Sequence, residues 1–130
     1  MKSLTTAFCI GLLSAGMAFA ADPVEGVWQT EPGDEGNFAH VTVEKCGEQI
    51  CGVLGQAYNS AGQKIDSPNK GSQMICDMKS DGGGKYTGGK NRATDREKVY
   101  KSKMSLSGNA LKVSGCVAVI CRSQNWVRVK

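Results

Sequence analysis

From Tyr100 to Val129 the chain alternates apolar and polar side chains with a period of two, interrupted at Gly108-Asn109 and again between Cys116 and Cys121. A period of two marks a strand buried on one face. Gly108-Asn109 is a two-residue hairpin turn that opens on glycine. It sets the register: Ser107 faces Ala110, Leu106 faces Leu111, Met104 faces Val113 and Ser102 faces Gly115. One face then carries Tyr100, Met104, Leu106, Leu111 and Val113, and the other Lys101, Lys103, Ser105, Lys112 and Ser114. Apolar side chains turn inward and polar ones outward.

Placing Cys116 opposite Cys121 adds the next strand. Leu111 meets Trp126, Val113 meets Gln124 and Gly115 meets Arg122. Arg122, Gln124, Trp126 and Arg128 then share the inner face, and both cysteines point outward. The same construction on Cys46 and Cys51 brings Val43 opposite Leu54, Val41 opposite Gln56 and Ala39 opposite Tyr58. His40, Thr42, Glu44 and the cysteines fall outside. Strands are expected at about 26–30, 39–46, 51–58, 73–79, 85–92, 99–107, 110–116 and 121–129, with at most one helical turn near 67–71. Short strands at regular spacing, joined in sequence, predict an all-β domain: a single eight-stranded antiparallel up-and-down barrel.

The leader and the cysteines sharpen this picture. Lys2, the apolar run Phe8 to Leu13 and Ala18-Phe19-Ala20 read as a secretory signal peptide over residues 1–20, too short for a membrane span. Residues 21–130 are then one domain with one core, exported to the periplasm or secreted, with no transmembrane segment. A net charge of +4, one unit of it from Lys2, gives no reason to expect nucleic acid. Apart from Cys9 in the leader, the chain carries two Cys-x4-Cys pairs and Cys76. The spacing would also permit a four-thiolate zinc site, but an oxidising compartment favours the disulfides Cys46–Cys51 and Cys116–Cys121. Chain entropy alone gives each local bridge roughly 2 kcal/mol, against roughly 4 to 5 for crossed pairing; the outward alternation, rather than energy, selects the local bridges. Cys76 is left over, either as a buried inert thiol or as an intermolecular link.

With eight antiparallel strands, Trp28 early in the first and Arg128 late in the last lie at one end, on neighbouring strands, where they can stack across the seam. Trp28, Trp126 and Arg128 are therefore assigned to structural closure. A Gly-x-Trp packed against an Arg of the last strand resembles the lipocalin and calycin arrangement. Gly26-Val27-Trp28, Glu44-Lys45-Cys46 leading to Cys51-Gly52, Tyr100-Lys101-Ser102-Lys103 and Cys121-Arg122-Ser123-Gln124-Asn125-Trp126-Val127-Arg128-Val129 are similar to the bacterial exported family of domain of unknown function 2147. That resemblance covers nearly all of residues 21–130 and implies a lipocalin-like barrel. The chain departs from the family pattern at Ala93-Thr94-Asp95-Arg96-Glu97, where an Asp-Pro and a glycine are usual.

The end opposite Trp28 is the mouth. Tyr58, Tyr100, Arg122 and Gln124 are expected there as ligand-binding residues, beside Gln56 and Phe38, with Val41, Leu54 and Met104 along the wall. An inward Arg is costly to bury unless it meets an anion or a well-placed acceptor. The reading is a non-catalytic binding protein whose partner is a small amphipathic or anionic molecule. In the competing reading Arg122 pairs with Glu35 or Asp95 and closes a filled barrel.

Catalysis is not expected. His40 is the only histidine and points outward, and no nucleophile elbow, metal-ligand cluster or inward carboxylate pair can be assembled. No cofactor or metal is expected. Ser80 to Tyr86 is glycine-rich but lacks the Walker spacing. That loop and the outward Lys101, Lys103 and Lys112 suggest a second function, an envelope protein–protein interaction module or an inhibitor of an envelope enzyme. A basic stripe is otherwise a solvated face or a contact for an anionic envelope surface.

Overall fold

Strands alone form the regular structure of residues 22–93 and 98–130, which are those described by the computed structural model. The expected leader, residues 1–20, lies outside the described residues, and so does the 94–97 segment that includes Asp95. The strands are β1 (Gly26–Gln29), β2 (Phe38–Cys46), β3 (Gln49–Tyr58), β4 (Lys64–Ile65), β5 (Gln73–Gly82), β6 (Lys85–Ala93), β7 (Lys98–Ser107), β8 (Ala110–Val117) and β9 (Ile120–Arg128). Around the wall they run β2-β1-β9-β8-β7-β6-β5-β3, and β3 pairs back onto β2. Eight strands therefore close an antiparallel barrel, as the alternation predicts, while the two-residue β4 is an appendage on β3. The interior is filled by the alternate residues Val41, Val43, Ile50, Leu54, Ile75, Met78, Tyr86, Met104, Leu111, Val113 and Trp126, all buried together with Trp28 and Val24.

The closed end is built on Trp28 and Arg128. β1 is only four residues long and shares two paired positions with β9, Gln29 with Val127 and Trp28 with Arg128. The guanidinium supplies what the short seam lacks. It lies 4.4 Å over the Trp28 ring and donates to the carbonyls of Glu25 (3.1 Å) and Pro23 (2.7 Å) and to the Asn109 side chain (3.1 Å). Residues 22–25 are thereby held under the barrel as a cap. The Trp28 indole donates to the Val24 carbonyl at 2.9 Å, and the Tyr86 hydroxyl donates to Asp22. Burial, reinforced by the Asp22 hydrogen bond and charge, holds the Tyr86 hydroxyl well above its ordinary pKa. Gly26 has φ +147, and a Cβ there would stand 2.5 Å from the Lys130 carbonyl oxygen and 2.8 Å from Arg128 Nη1. Glycine before Trp28 is thus a steric requirement of the seam.

The β7–β8 and β8–β9 registers agree with the sequence-derived pairing residue for residue. The β2–β3 hairpin differs. Gly47-Glu48 closes it as a two-residue turn, so Cys46 faces Gln49, Val43 faces Gly52 and Val41 faces Leu54. A slip of two positions keeps every side chain on its expected face, and Cys46 and Cys51 are still joined, diagonally, at a Cα separation of 5.9 Å. Cys46 is exposed, whereas Cys51 is covered. Further along, Gly55 and Gln56 together oppose His40 as a β-bulge between the pairs Val41–Leu54 and Ala39–Ala57. The extra residue reverses the alternation. Tyr58 therefore emerges on the outer face opposite Phe38, correcting its expected inward position opposite Ala39. It stacks on Phe38 at 5.2 Å between ring centroids and lies 4.7 Å from His40. Partial burial there lowers the His40 pKa below its ordinary value.

Two outcomes follow from these contacts. Arg128→Ala removes the stacked cation and three hydrogen bonds, and should cost about 2–4 kcal/mol in urea unfolding, with Arg128→Lys intermediate; a loss below about 1 kcal/mol would show that the seam closes without it. A histidine whose folded pKa is lowered favours the neutral form, so its contribution is full above the unfolded pKa of about 6.5 and is lost as pH falls through the folded value. Thermal unfolding at pH 7.5 and 5.5 should show a smaller acid-induced loss in His40→Gln than in the parent chain; equal losses would dissociate the burial from stability.

Candidate functional site

At the end opposite Trp28 the inner wall of β6–β9 changes character. Gly89, Ser102, Gly115 and Arg122 lie in register across four successive strands. This level carries two glycines and a serine where the levels below carry large apolar groups. Gly89 accommodates Met78: a Cβ at that position would stand 2.6 Å from the Met78 sulfur and 2.7 Å from the Cys76 carbonyl oxygen. Ser102 sits between the inward positions Tyr100 and Met104 and is 4% exposed. Among the described residues its hydroxyl has no hydrogen-bond partner. A buried hydroxyl left unpaired costs about 1–3 kcal/mol, so it marks a place where a polar atom would be welcome.

Tyr100 lies two residues nearer the rim on the same face and is half-buried. Arg122 and Gln124 occupy the inner-face positions of β9 that the register assigns, yet both are exposed. The reason is the shortness of β1, whose pairing with β9 ends at Val127. Below them Trp126 is buried, and its indole donates to the Gln124 side-chain oxygen at 2.8 Å, holding that amide against the rim. The Asn125 amide donates to the Glu31 carboxylate, which covers the strand just beyond the seam. Glu35, one of the acids considered for Arg122, is exposed in the 30–37 loop; Asp95, the other, lies outside the described residues.

Of the expected ligand-binding residues, Tyr100, Arg122 and Gln124 are brought to one stretch of wall on β7 and β9, and Tyr58 is not. Trp28 and Arg128 meet at the floor, while Trp126 belongs to the packed core above it. Val41, Leu54 and Met104, expected along a pocket, are packed into the core instead. Ser102 was missed, although its even-numbered position opposite Gly115 placed it on the inner face. The pairs Cys46–Cys51 and Cys116–Cys121 are disulfides at opposite ends of the barrel, which rules out a shared zinc site between them. Cys76 is a half-buried free thiol. Among the described residues no three His, Cys, Asp or Glu side chains are grouped so as to hold a metal ion.

The fold has a solved counterpart. Protein HP1028 from the human pathogen Helicobacter pylori, which belongs to the lipocalin family, is similar with a TM-score of 0.70 at 17% sequence identity, over 82% of this chain and 83% of that one. At that identity the likeness is one of fold. No curated protein is significantly similar to the chain. The sequence from Gly26, which lets the seam close, to Arg128, which closes it, matches the family described as uncharacterized protein conserved in bacteria, DUF2147, over residues 26–128. The chain belongs to that bacterial family and builds it as a lipocalin-like β-barrel.

Proposed function

We propose that the protein is a non-catalytic periplasmic binding protein for a small amphipathic or anionic molecule, held in a shallow cup at the barrel mouth. The observation that carries this reading is the buried, unpartnered Ser102 hydroxyl in a row of small residues that ends at Arg122. Eight-stranded barrels of this size either fill their interior or hold one small ligand. Here the lower interior is filled, and the inner wall becomes small and polar toward the mouth. Arg122 would meet an anionic head at the rim, and Gln124, steadied by Trp126, would supply an amide beside it. Tyr100 offers an aromatic face and Ser102 a donor to an acceptor carried deeper. Cleavage of residues 1–20 and export of a 21–130 domain complete the reading, since two disulfides persist in an oxidising compartment.

The inhibitor reading finds less support. Its loop, Ser80 to Tyr86, is the β5–β6 hairpin at the closed end, and Tyr86 is 2% exposed with its hydroxyl on Asp22. That side chain is committed to the core rather than offered to another protein's cleft.

Protein purified from the periplasm should show a native mass exceeding its denatured, non-reduced mass by the mass of a captured small molecule. The anionic fluorophore anilinonaphthalene sulfonate should bind the emptied barrel, roughly tenfold more weakly in Arg122→Ala and in Ser102→Leu, which fills the cup. Equal native and denatured masses, together with fluorophore binding that ignores both substitutions, would sink the proposal.

A further inference from the structure

The tip of the β8–β9 hairpin is the most exposed apolar feature of the described residues. Val117 is 56%, Val119 94% and Ile120 70% exposed, and Ala118 completes an unbroken apolar run. Folding does not require this composition. The neighbouring β7–β8 hairpin turns on Gly108 at φ +59, whereas here Ala118 adopts φ +54, a conformation that side chains with a Cβ adopt rarely. Glycine and asparagine would serve the turn better and would be more soluble. Directly beneath, Cys116 and Cys121 are bridged at a Cα separation of 4.0 Å, so the apolar point is presented rigidly.

One level down, Lys90, Lys101, Cys116 and Cys121 stand in register across β6, β7, β8 and β9. Lys90 and Lys101 are both exposed and directly opposite each other, an arrangement in which like charges repel. Lys103 and Lys112 continue the basic wall below them, and Arg122 adjoins the bridge on β9. At a strand rise of about 3.4 Å per residue, the tip stands roughly 7–10 Å past the Lys90–Lys101 pair along the strand direction, and β6 and β7 run on beside it for three more paired positions, to Ala93 and Lys98. That offset matches the depth to which apolar side chains of interfacial segments sink past phospholipid headgroups. The acidic Glu31, Asp34 and Glu35 lie in the 30–37 loop on the far side of β9, so the charge is asymmetric.

We infer that this hairpin docks the open end of the barrel onto an anionic phospholipid surface, with Val117, Val119 and Ile120 among the acyl chains and Lys90 and Lys101 at the headgroups. Three side chains on a narrow tip are too few for the core of a stable protein–protein interface. A bilayer needs no shape complementarity, and its phosphates relieve the Lys90–Lys101 repulsion. Docking requires nothing of the cup and is measured without any ligand, so it can stand if the binding reading fails.

Co-sedimentation with vesicles of phosphatidylcholine, with and without phosphatidylglycerol, tests it. The chain should partition onto the phosphatidylglycerol vesicles and be released by salt. The double variant Val119→Ser, Ile120→Ser should bind roughly ten- to hundred-fold more weakly with an unchanged thermal midpoint, because both side chains are already exposed. Lys90→Gln with Lys101→Gln should weaken binding and flatten its salt dependence. The variant Val119→Trp should emit at shorter wavelength when vesicles are added. Absence of partitioning, tip variants that bind like the parent, or tryptophan emission from Val119→Trp that is indifferent to vesicles would each overturn the inference. So would capture of a protein through the tip without vesicle binding.

Discussion

One cation reinforces the seam that closes this barrel. Closing a sheet on itself ordinarily needs a full ladder between the first and last strands, yet β1 and β9 share two paired positions, extended just past β9 by backbone hydrogen bonds between Val27 and residues 129–130. Arg128 makes up the difference by acting in two directions at once. Its planar face lies on Trp28, and its edge donates to two backbone carbonyls and a side-chain amide that the floor would otherwise leave short of donors. Lysine could present the charge but not a flat fork that stacks and donates simultaneously. That guanidinium holds the cap of residues 22–25 and shares with the Lys130 carbonyl the steric demand at Gly26.

From this floor the interior grades upward. The lower barrel is solid, with tryptophan, tyrosine, methionine and branched aliphatic side chains interlocking as close-packed interiors require. Higher up, the wall loses side-chain volume at Gly89, Ser102 and Gly115, and the last strand outruns its neighbour. A short β1 therefore does two things. It makes closure depend on Arg128, and it leaves Arg122 and Gln124 in the open, where a fully paired seam would have covered them.

Much of this was legible in the sequence, wherever a turn residue pinned the register. Gly108-Asn109 admits one hairpin geometry, and the pairs counted outward from it are found in place, as are Leu111 opposite Trp126 and Gly115 opposite Arg122, which follow from setting Cys116 opposite Cys121. Strand parity likewise put Trp28 beside Arg128 across a hundred residues of chain. The β2–β3 hairpin was harder, because Cys46 and Cys51 suggest a pairing directly across the turn when the bridge in fact runs diagonally. The bulge at Gly55-Gln56 leaves almost no mark in an apolar-polar pattern, since Gly55 and Ala57 give no sign of either face. Tyr58 was misplaced for that reason alone. The β4 appendage was equally silent: it is fixed by Gln56, whose side-chain amide donates to the Ile65 carbonyl at 3.0 Å. Ser102 is a different case, readable from its position but passed over because a serine among apolar neighbours looks like a gap.

The seam also sets the order in which the molecule can assemble. Trp28 belongs to β1 and Arg128 to β9, so the contact that closes the barrel joins strands a hundred residues apart in the chain. A chain made or threaded from its N-terminus exposes β1 long before its partner exists, and Gly26, Val27 and Trp28 can join only β2 until then. The hairpins can form locally and early, each with its own turn and two of them with their own bridges. Barrel closure must wait for β9 and the residues just after it, where the Lys130 carbonyl accepts from the Val27 amide at 2.6 Å. Completion of the barrel is thereby a signal that β9 has arrived.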